Sequence, residues 1–472
     1  MAQFLISAAH KSSGKTTVSI GLAAAFHARG LTVQTFKKGP DYIDPMWLGL
    51  ASGRSCRNLD FFLMQRDEIT ALYAEHAAPA DVAFVEGNKG LFDGLDLDGS
   101  NSNSALARLL GLPVVLVIDA RGMTRGIAPL LLGYQAFEPD LKIAGVILNH
   151  LGGSRHEGKL RAVIEHYTDL EVFGAIGHDA SLTIEERHLG LIPSNESERA
   201  EAHVRTLGER VGAAVDLDRL LRLESSIKPP RIAPQQPRGK ASKLRVAIAR
   251  DRAFGFYYAD DMEWLTRNGV ELVPFDTLSD RKLPAVDGMF IGGGFPELAM
   301  DTLAANRALR SDIRAAIDAG LPVYAECGGL MYLSRSLSWG DSKREMVGVI
   351  DADVMMREKP VGRGYVRLVQ TDASPWRRAE DAADHVIAAH EFHYSTLENL
   401  PADTRFAYRV MRGHGVDGEH DGIIINNLFA SYSHLRSMRA YNWAERFAEW
   451  VRACRSGNAQ ARSHSKGEIG VS

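Results

Sequence analysis

Only three cysteines occur in the 472 residues: Cys56, Cys327 and Cys454. Three cannot build a disulfide framework, and none stands in a CxxC or Cys/His spacing, so structural zinc is excluded and a reducing compartment is expected. No segment approaches the roughly 18 consecutive apolar residues of a membrane-spanning helix, which argues against a membrane partner. The opening Met1-Ala2-Gln3-Phe4-Leu5-Ile6-Ser7 lacks the charged start and cleavage site of a signal peptide, so a cytoplasmic location is expected. An excess of one charge sign is missing too. The net charge is -4 with 24% charged residues, and no basic stripe points to nucleic acid.

What is present is a soluble, α/β-patterned chain, 45% hydrophobic and too long for one ordinary core. Short apolar runs at residues 3–8, 32–36, 82–85, 113–119 and 143–148 are rich in Val, Ile and Leu without polar alternation. That is the signature of strands buried on both faces of a parallel sheet, and the long segments between them suit crossover helices. Residues 225–242, SSIKPPRIAPQQPRGKAS, read as a linker. A second series follows at 244–249, 271–274, 288–291 and 322–325. The expected organisation is a domain at 1–224, the linker at 225–242, a domain at 243–455 and a disordered polar tail at 456–472.

Residues 9–16, Ala-His-Lys-Ser-Ser-Gly-Lys-Thr, follow the first expected strand and precede a helical run at 17–29. This is a P-loop pattern with Ala9 in place of the first glycine. Backbone N–H groups around Ser12, Ser13, Gly14 and Lys15 would wrap phosphates, with Thr17 following in the helix. Lys15 would neutralise β/γ charge, and the Thr16 hydroxyl would sit on Mg²⁺. Glu86 and Asp93 follow the third strand, where loops line the ligand crevice of a doubly wound sheet. A carboxylate such as Glu86 there suits Mg²⁺. Asn149, after the fifth strand, reads either as an adenine-edge contact or as a turn asparagine. The segment Phe36-Lys37-Lys38-Gly39-Pro40-Asp41-Tyr42-Ile43-Asp44-Pro45 reads as a loop whose lysines would clamp phosphate and whose aspartates would position metal or substrate.

A second chemistry is written at Glu326-Cys327-Gly328-Gly329, after a short strand. A cysteine at a sharp strand-to-helix turn exposes its sulfur, and a following helix N-terminus favours an anionic thiol. The N–H of Gly328 and the loop Gly292-Gly293-Gly294 supply candidate oxyanion donors. His434 is the candidate base. Cys56 and Cys454 read as structural. The cluster His390-Glu391-Phe392-His393-Tyr394 lines a passage or packs a core; the sequence leaves both open.

Jointly, SSGKTT, FKKGPDYIDP, RNLD, EGNKGLFDG, VILNH, RHLGL, GGGFPE, ECGGLMYL, GRGY, HEFHYS and SYSH resemble the cobyrinic acid a,c-diamide synthases over residues 1 to about 450. The resemblance implies a dethiobiotin-synthetase-like P-loop domain followed by a class I glutamine amidotransferase-like domain. It implies ATP and Mg²⁺ as cofactors, and glutamine and a tetrapyrrole as substrates. Cys327 and His434 are implied as glutaminase residues. Asp44, Glu86 and Asp93 are implied as acids handling ATP-Mg²⁺ or substrate carboxylate, with Lys37 beside the phosphates. No third acid of the usual triad is legible.

The sequence departs from the corrinoid-forming pattern at Met46-Trp47-Leu48, where a histidine is expected, and at Arg436, where a second histidine is common. Tyr42 and Trp47 are thereby placed near substrate, and the tryptophan form is similar to members acting on sirohydrochlorin or siroheme. Alternatives are cobyric acid synthase-like amidation, a P-loop switch with an inactive amidotransferase domain, and a tetrapyrrole-binding chaperone. A homodimer is the default assembly.

Overall fold

A computed structural model describes residues 1–227 and 243–467 apart from 180, 181, 185, 188, 189 and 198, with side chains described to 457 except at 186, 187 and 190. The chain forms two compact units, Met1–Gln235 and Gln236–Ser472. Residues 228–242 of the expected linker, His188 and Leu189 of RHLGL, and 468–472 of the expected tail lie outside the described residues.

The first unit is built on a seven-stranded, wholly parallel sheet. Its strands are β1 (Ala2–Ala8), β2 (Val33–Lys38), β3 (Arg57–Leu59), β4 (Val82–Glu86), β5 (Val114–Asp119), β6 (Ile143–Leu151) and β7 (Glu171–Gly177). Their order is β3-β2-β4-β1-β5-β6-β7. Every residue of β1, β2 and β4 is buried, as strands covered on both faces require. All five expected strands form, but β2 runs two residues further than the sequence suggested. Lys37 pairs in register with Glu86 and Lys38 with Leu59, so neighbouring strands hold the lysines in extended backbone that composition alone reads as loop. Helix α1 (Lys15–Ala28) follows β1 after Gly14, and α2 (Ile43–Ser52) follows β2. Helix α3 (Asn103–Leu110) is capped by the Ser102 side chain, which accepts from the Ala105 N–H.

The second unit carries a nine-stranded mixed sheet. Strands β8 (Leu244–Ala249), β9 (Val270–Phe275), β10 (Gly288–Ile291) and β11 (Val323–Glu326) are parallel. Strands β12 (Gly362–Gln370), β13 (Val386–His393), β14 (Arg405–Arg412), β15 (His420–Ile425) and β16 (Leu428–Ser431) complete the order β9-β8-β10-β11-β16-β15-β14-β12-β13. Strand β16 is parallel to β11 and antiparallel to β15, and it delivers Ser431 beside Glu326. Helix α4 (Gly328–Leu333) opens directly after Cys327. The last helix, α5 (Trp443–Gly467), extends through twelve residues expected to be disordered. Ala, Arg, Gln and Lys in that stretch are strong helix formers, and they continue a helix whose first turns are anchored in the core. Among the described residues, no helix is long and apolar enough to cross a membrane.

Candidate active sites

In the first unit, β1 ends in a loop whose backbone is unusual at two points. Ser12 has φ 63° and Gly14 has φ 79°. The Ser13 hydroxyl donates to His10 O at 2.9 Å, and Asn149 Nδ2 donates to Ser13 O at 2.9 Å. A Cβ at Gly14 would lie 2.1 Å from Asn149 Nδ2, so only glycine lets the loop rest on this asparagine. The two sequence readings of Asn149 are thus replaced by a third, because its amide is committed to bracing the loop. Thr17 is half-buried in the first turn of α1.

The ends of β1, β2 and β4 converge on one carboxylate. Glu86, fully buried, accepts at Oε1 from Lys15 Nζ (2.7 Å), Thr16 Oγ1 (2.7 Å) and Lys37 Nζ (3.0 Å). Lys37 Nζ also donates to Asp44 Oδ2 at 2.5 Å. Burial opposes ionisation of Glu86, but Lys15 and Lys37 outweigh it and hold the carboxyl at about 2. Burial lowers the Lys15 ammonium despite the attraction of Glu86. Burial works the same way on Lys37, yet Asp44, Glu86 and Asp41 together raise it well above the ordinary lysine value. Glu86 Oε2 is buried without a hydrogen-bond partner among the described residues. With Thr16 Oγ1 and Asp44, it makes a hard-oxygen donor set that fits Mg²⁺. No group of three or more His, Cys, Asp or Glu among the described residues could hold a metal alone.

In the second unit, Cys327 sits between β11 and α4 with φ 47° and ψ -102°. Such strain places a side chain where an ordinary turn would not. Its N–H donates to Ser431 O at 2.7 Å, which locks the elbow to β16. The glycine loop packs directly on this corner. A Cβ at Gly328 would stand 3.0 Å from both the N and O of Gly294, and a Cβ at Gly293 would stand 2.6 Å from His434 Cε1. His434 hydrogen-bonds the Cys327 thiol, and its Nδ1 lies 3.2 Å from Glu326 Oε2. Burial opposes charging of the ring, but the hydrogen bonds to Cys327 and Glu326, and their charge, raise it to about 10. The arrangement sets a thiol, an imidazole raised toward its charged form and a carboxylate in one corner.

The amino-acid sequence aligns with a family model described as a CobQ/CobB/MinD/ParA nucleotide binding domain over residues 5–192, and with a CobB/CobQ-like glutamine amidotransferase domain over 245–440. A cobyrinate a,c-diamide synthase of Magnetococcus marinus is 48% identical over 95% of this chain and 97% of its own length. The chain belongs to the cobyrinate a,c-diamide synthase family. Its relatives with that name include proteins of Methanosarcina acetivorans, 40% identical over 92% of each chain, and Listeria monocytogenes, 39% identical over 92% of this chain and 96% of the other. It is a carbon–nitrogen ligase with glutamine as nitrogen donor, built on a nucleotide-binding unit.

Within this cobyrinate a,c-diamide synthase fold, several residues stand elsewhere than the sequence suggested. Trp47 is a core residue, 2% exposed, with Nε1 donating to Ile192 O at 2.7 Å. An indole packed and satisfied in this way has no face for substrate, because α2 turns position 47 inward. Asp93 is exposed, and its carboxylate accepts the Gly90 N–H at 2.9 Å, closing a turn instead of joining the Glu86 centre. Tyr42 is buried at the start of α2.

The residue that sequence reasoning missed is Glu326. Its Oε1 accepts from Tyr324 OH at 2.6 Å and the Leu435 N–H at 3.0 Å, which leaves Oε2 for His434. The signal was adjacent to Cys327, whereas a search for the acid near the histidine meets Arg436, which pairs with Asp260 at 2.7 Å. The open cluster at 390–394 packs around this centre. His390 and His434 exchange backbone hydrogen bonds (3.2 and 2.7 Å), and their rings stack at 4.9 Å. Burial, with the charges of His434 and Arg436, keeps His390 neutral, well below its ordinary value. Glu391 accepts the His414 and Gly415 N–H groups, and His393 stacks on Tyr432 at 3.9 Å.

Proposed function

We propose that the chain uses ATP, Mg²⁺ and glutamine to convert the a- and c-acetate carboxylates of cobyrinate to amides. Cys327 Sγ attacks the glutamine carboxamide carbon, the C–N bond breaks, and His434 gives a proton to the departing ammonia. Water then hydrolyses the thioester to glutamate. Glu326 orients His434 and stabilises its charge. In the first unit, Lys15 and Lys37 hold the γ-phosphoryl group as it passes from ATP to a carboxylate oxygen, giving an acyl phosphate and ADP. Ammonia attacks the acyl carbon and phosphate leaves. Thr16, Asp44 and Glu86 would hold Mg²⁺, which when bound offsets phosphate charge.

The observation carrying this reading is the co-occurrence of a Lys–Lys–Glu–Asp centre on a phosphate loop with a Cys–His–Glu centre on a glycine-walled elbow. Relatives named for cobyrinate support that macrocycle.

The test incubates the full chain with ATP, Mg²⁺ and glutamine against cobyrinate, hydrogenobyrinate, sirohydrochlorin and siroheme, counting carboxyl-to-amide conversions by mass spectrometry. Two conversions on cobyrinate are expected. Conversion of another macrocycle with cobyrinate untouched would sink the substrate assignment. Cys327→Ser should lose glutamine-supported product and keep ammonium-supported product. Loss of both, in a folded variant, would refute the division of labour.

A further inference from the structure

Strand β2 delivers two lysines, and only one meets carboxylates. Lys38 is 3% exposed, yet its ammonium contacts two neutral amides: Asn88 Oδ1 at 3.2 Å and Asn101 Oδ1 at 3.4 Å. Among the described residues it forms no ion pair. Burial lowers Lys38 to about 8, with Asp60 opposing and Lys37 and Lys89 adding to the effect. A buried ammonium without a matching anion is costly, and such groups mark places where a ligand completes the pairing.

The amides carry the argument further. An ammonium has only donors, so each asparagine must turn its oxygen to Lys38 and its NH₂ group away. Neither Nδ2 has an acceptor among the described residues. The Asn88 amide nitrogen lies over Gly39, 3.2 Å from where a Cβ would stand. Asn88 is held in place by Asn103. Asn103 Oδ1 accepts the Asn88 N–H at 3.1 Å, its Nδ2 donates to Asn88 O at 2.6 Å, and the adjacent Ser102 caps α3. One ammonium and two amide NH₂ groups, with no carboxylate among them, form a donor set for an oxyanion.

Topology selects which oxyanion. Successive residues of a strand face opposite sides of the sheet, so Lys38 serves a different face from Lys37 and the Glu86 centre. Lys38 pairs with edge strand β3, whereas the phosphate loop follows β1 and its brace Asn149 stands in β6, on the other side of β4. The phosphate loop and the Lys38 cradle thus lie to either side of Glu86 on β4.

We propose that Lys38, Asn88 and Asn101 bind a peripheral carboxylate of the polycarboxylate substrate, one other than the group being phosphorylated. Holding a second carboxylate fixes which acetate reaches the phosphoryl donor. This rests on the reading that the chain amidates a polycarboxylate.

Lys38→Met and the half-buried Asn101→Leu are compared with the unaltered full chain for cobyrinate binding by titration calorimetry, and for the KM values of cobyrinate and ATP. Losing one charge-assisted contact should raise Kd and KM for cobyrinate about tenfold or more in Lys38→Met. Asn101→Leu should raise them severalfold, and KM for ATP should hold in both. A raised KM for ATP instead would assign the cradle to phosphate, and unchanged cobyrinate binding in folded Asn101→Leu would make Lys38 a core ion; either overturns the proposal. If the unaltered chain binds cobyrinate without amidating it, the functional reading falls while the cradle is still read from the binding data. No binding at all removes both.

Discussion

Glu326→Gln isolates what the carboxylate beside the nucleophile does. The change conserves volume, and the single amide oxygen can keep the Tyr324 hydroxyl and the Leu435 N–H, which now meet Oε1 at 2.6 and 3.0 Å. The amide NH₂ then faces His434 Nδ1, where the carboxylate stands at 3.2 Å. A donor facing Nδ1 forces that nitrogen to accept, so the ring becomes neutral and its tautomer reverses. The lost interaction is a buried hydrogen bond to a charged group, about 1.5–3 kcal/mol. Lost from the transition state, that energy slows glutamine hydrolysis by about 10- to 100-fold.

The pH dependence has a definite sign. His434 is raised to about 10 from 6.5, so its charged form stabilises the fold fully below about pH 6.5 and ceases to do so as pH rises through about 10. Glu326→Gln removes one cause of that rise. Both the melting temperature at pH 7–8 and the alkaline limb of the glutaminase profile should therefore move down. The assay is glutamine hydrolysis against pH alongside thermal unfolding. Ammonium-supported amidation reports on the phosphate site separately. A Glu326→Gln enzyme with the parental rate and an unshifted alkaline limb would show that the carboxylate merely ties Leu435 in place.

Two further variants separate reacting from packing residues. Glu86→Gln deprives Lys15 and Lys37 of their shared anion and should depress amidation from ammonium and from glutamine alike by at least about 100-fold; a deficit confined to glutamine would contradict this. Trp47→Phe loses the bond to Ile192 O and should destabilise the first unit by about 1–3 kcal/mol, read as a lower melting temperature with KM for cobyrinate unchanged. A raised KM at parental stability would return Trp47 to the substrate.

Much of the molecule was written locally. Unbroken Val/Ile/Leu runs could serve only as strands covered on both faces, and SSGKTT after such a run could only open a helix on a phosphate-sized loop. Cys327 between a short strand and two glycines announced an elbow, because only glycine allows the 291–296 loop so close to Gly328 and His434. These signals depend on neighbours in sequence, and the sequence by itself determined the fold class and named most of the side chains that gather at the two candidate sites. Pairings between distant segments were decided only by the tertiary structure. Register with Glu86 and Leu59 turned Lys37 and Lys38 from loop to strand and sent them to opposite faces. The rotation of α2 buried Trp47, and the parallel pairing of β11 with β16 brought His434 to Glu326 across more than a hundred residues. A residue's chemistry is local, but whether it meets a partner, a substrate or the core depends on chain that sequence spacing does not reveal.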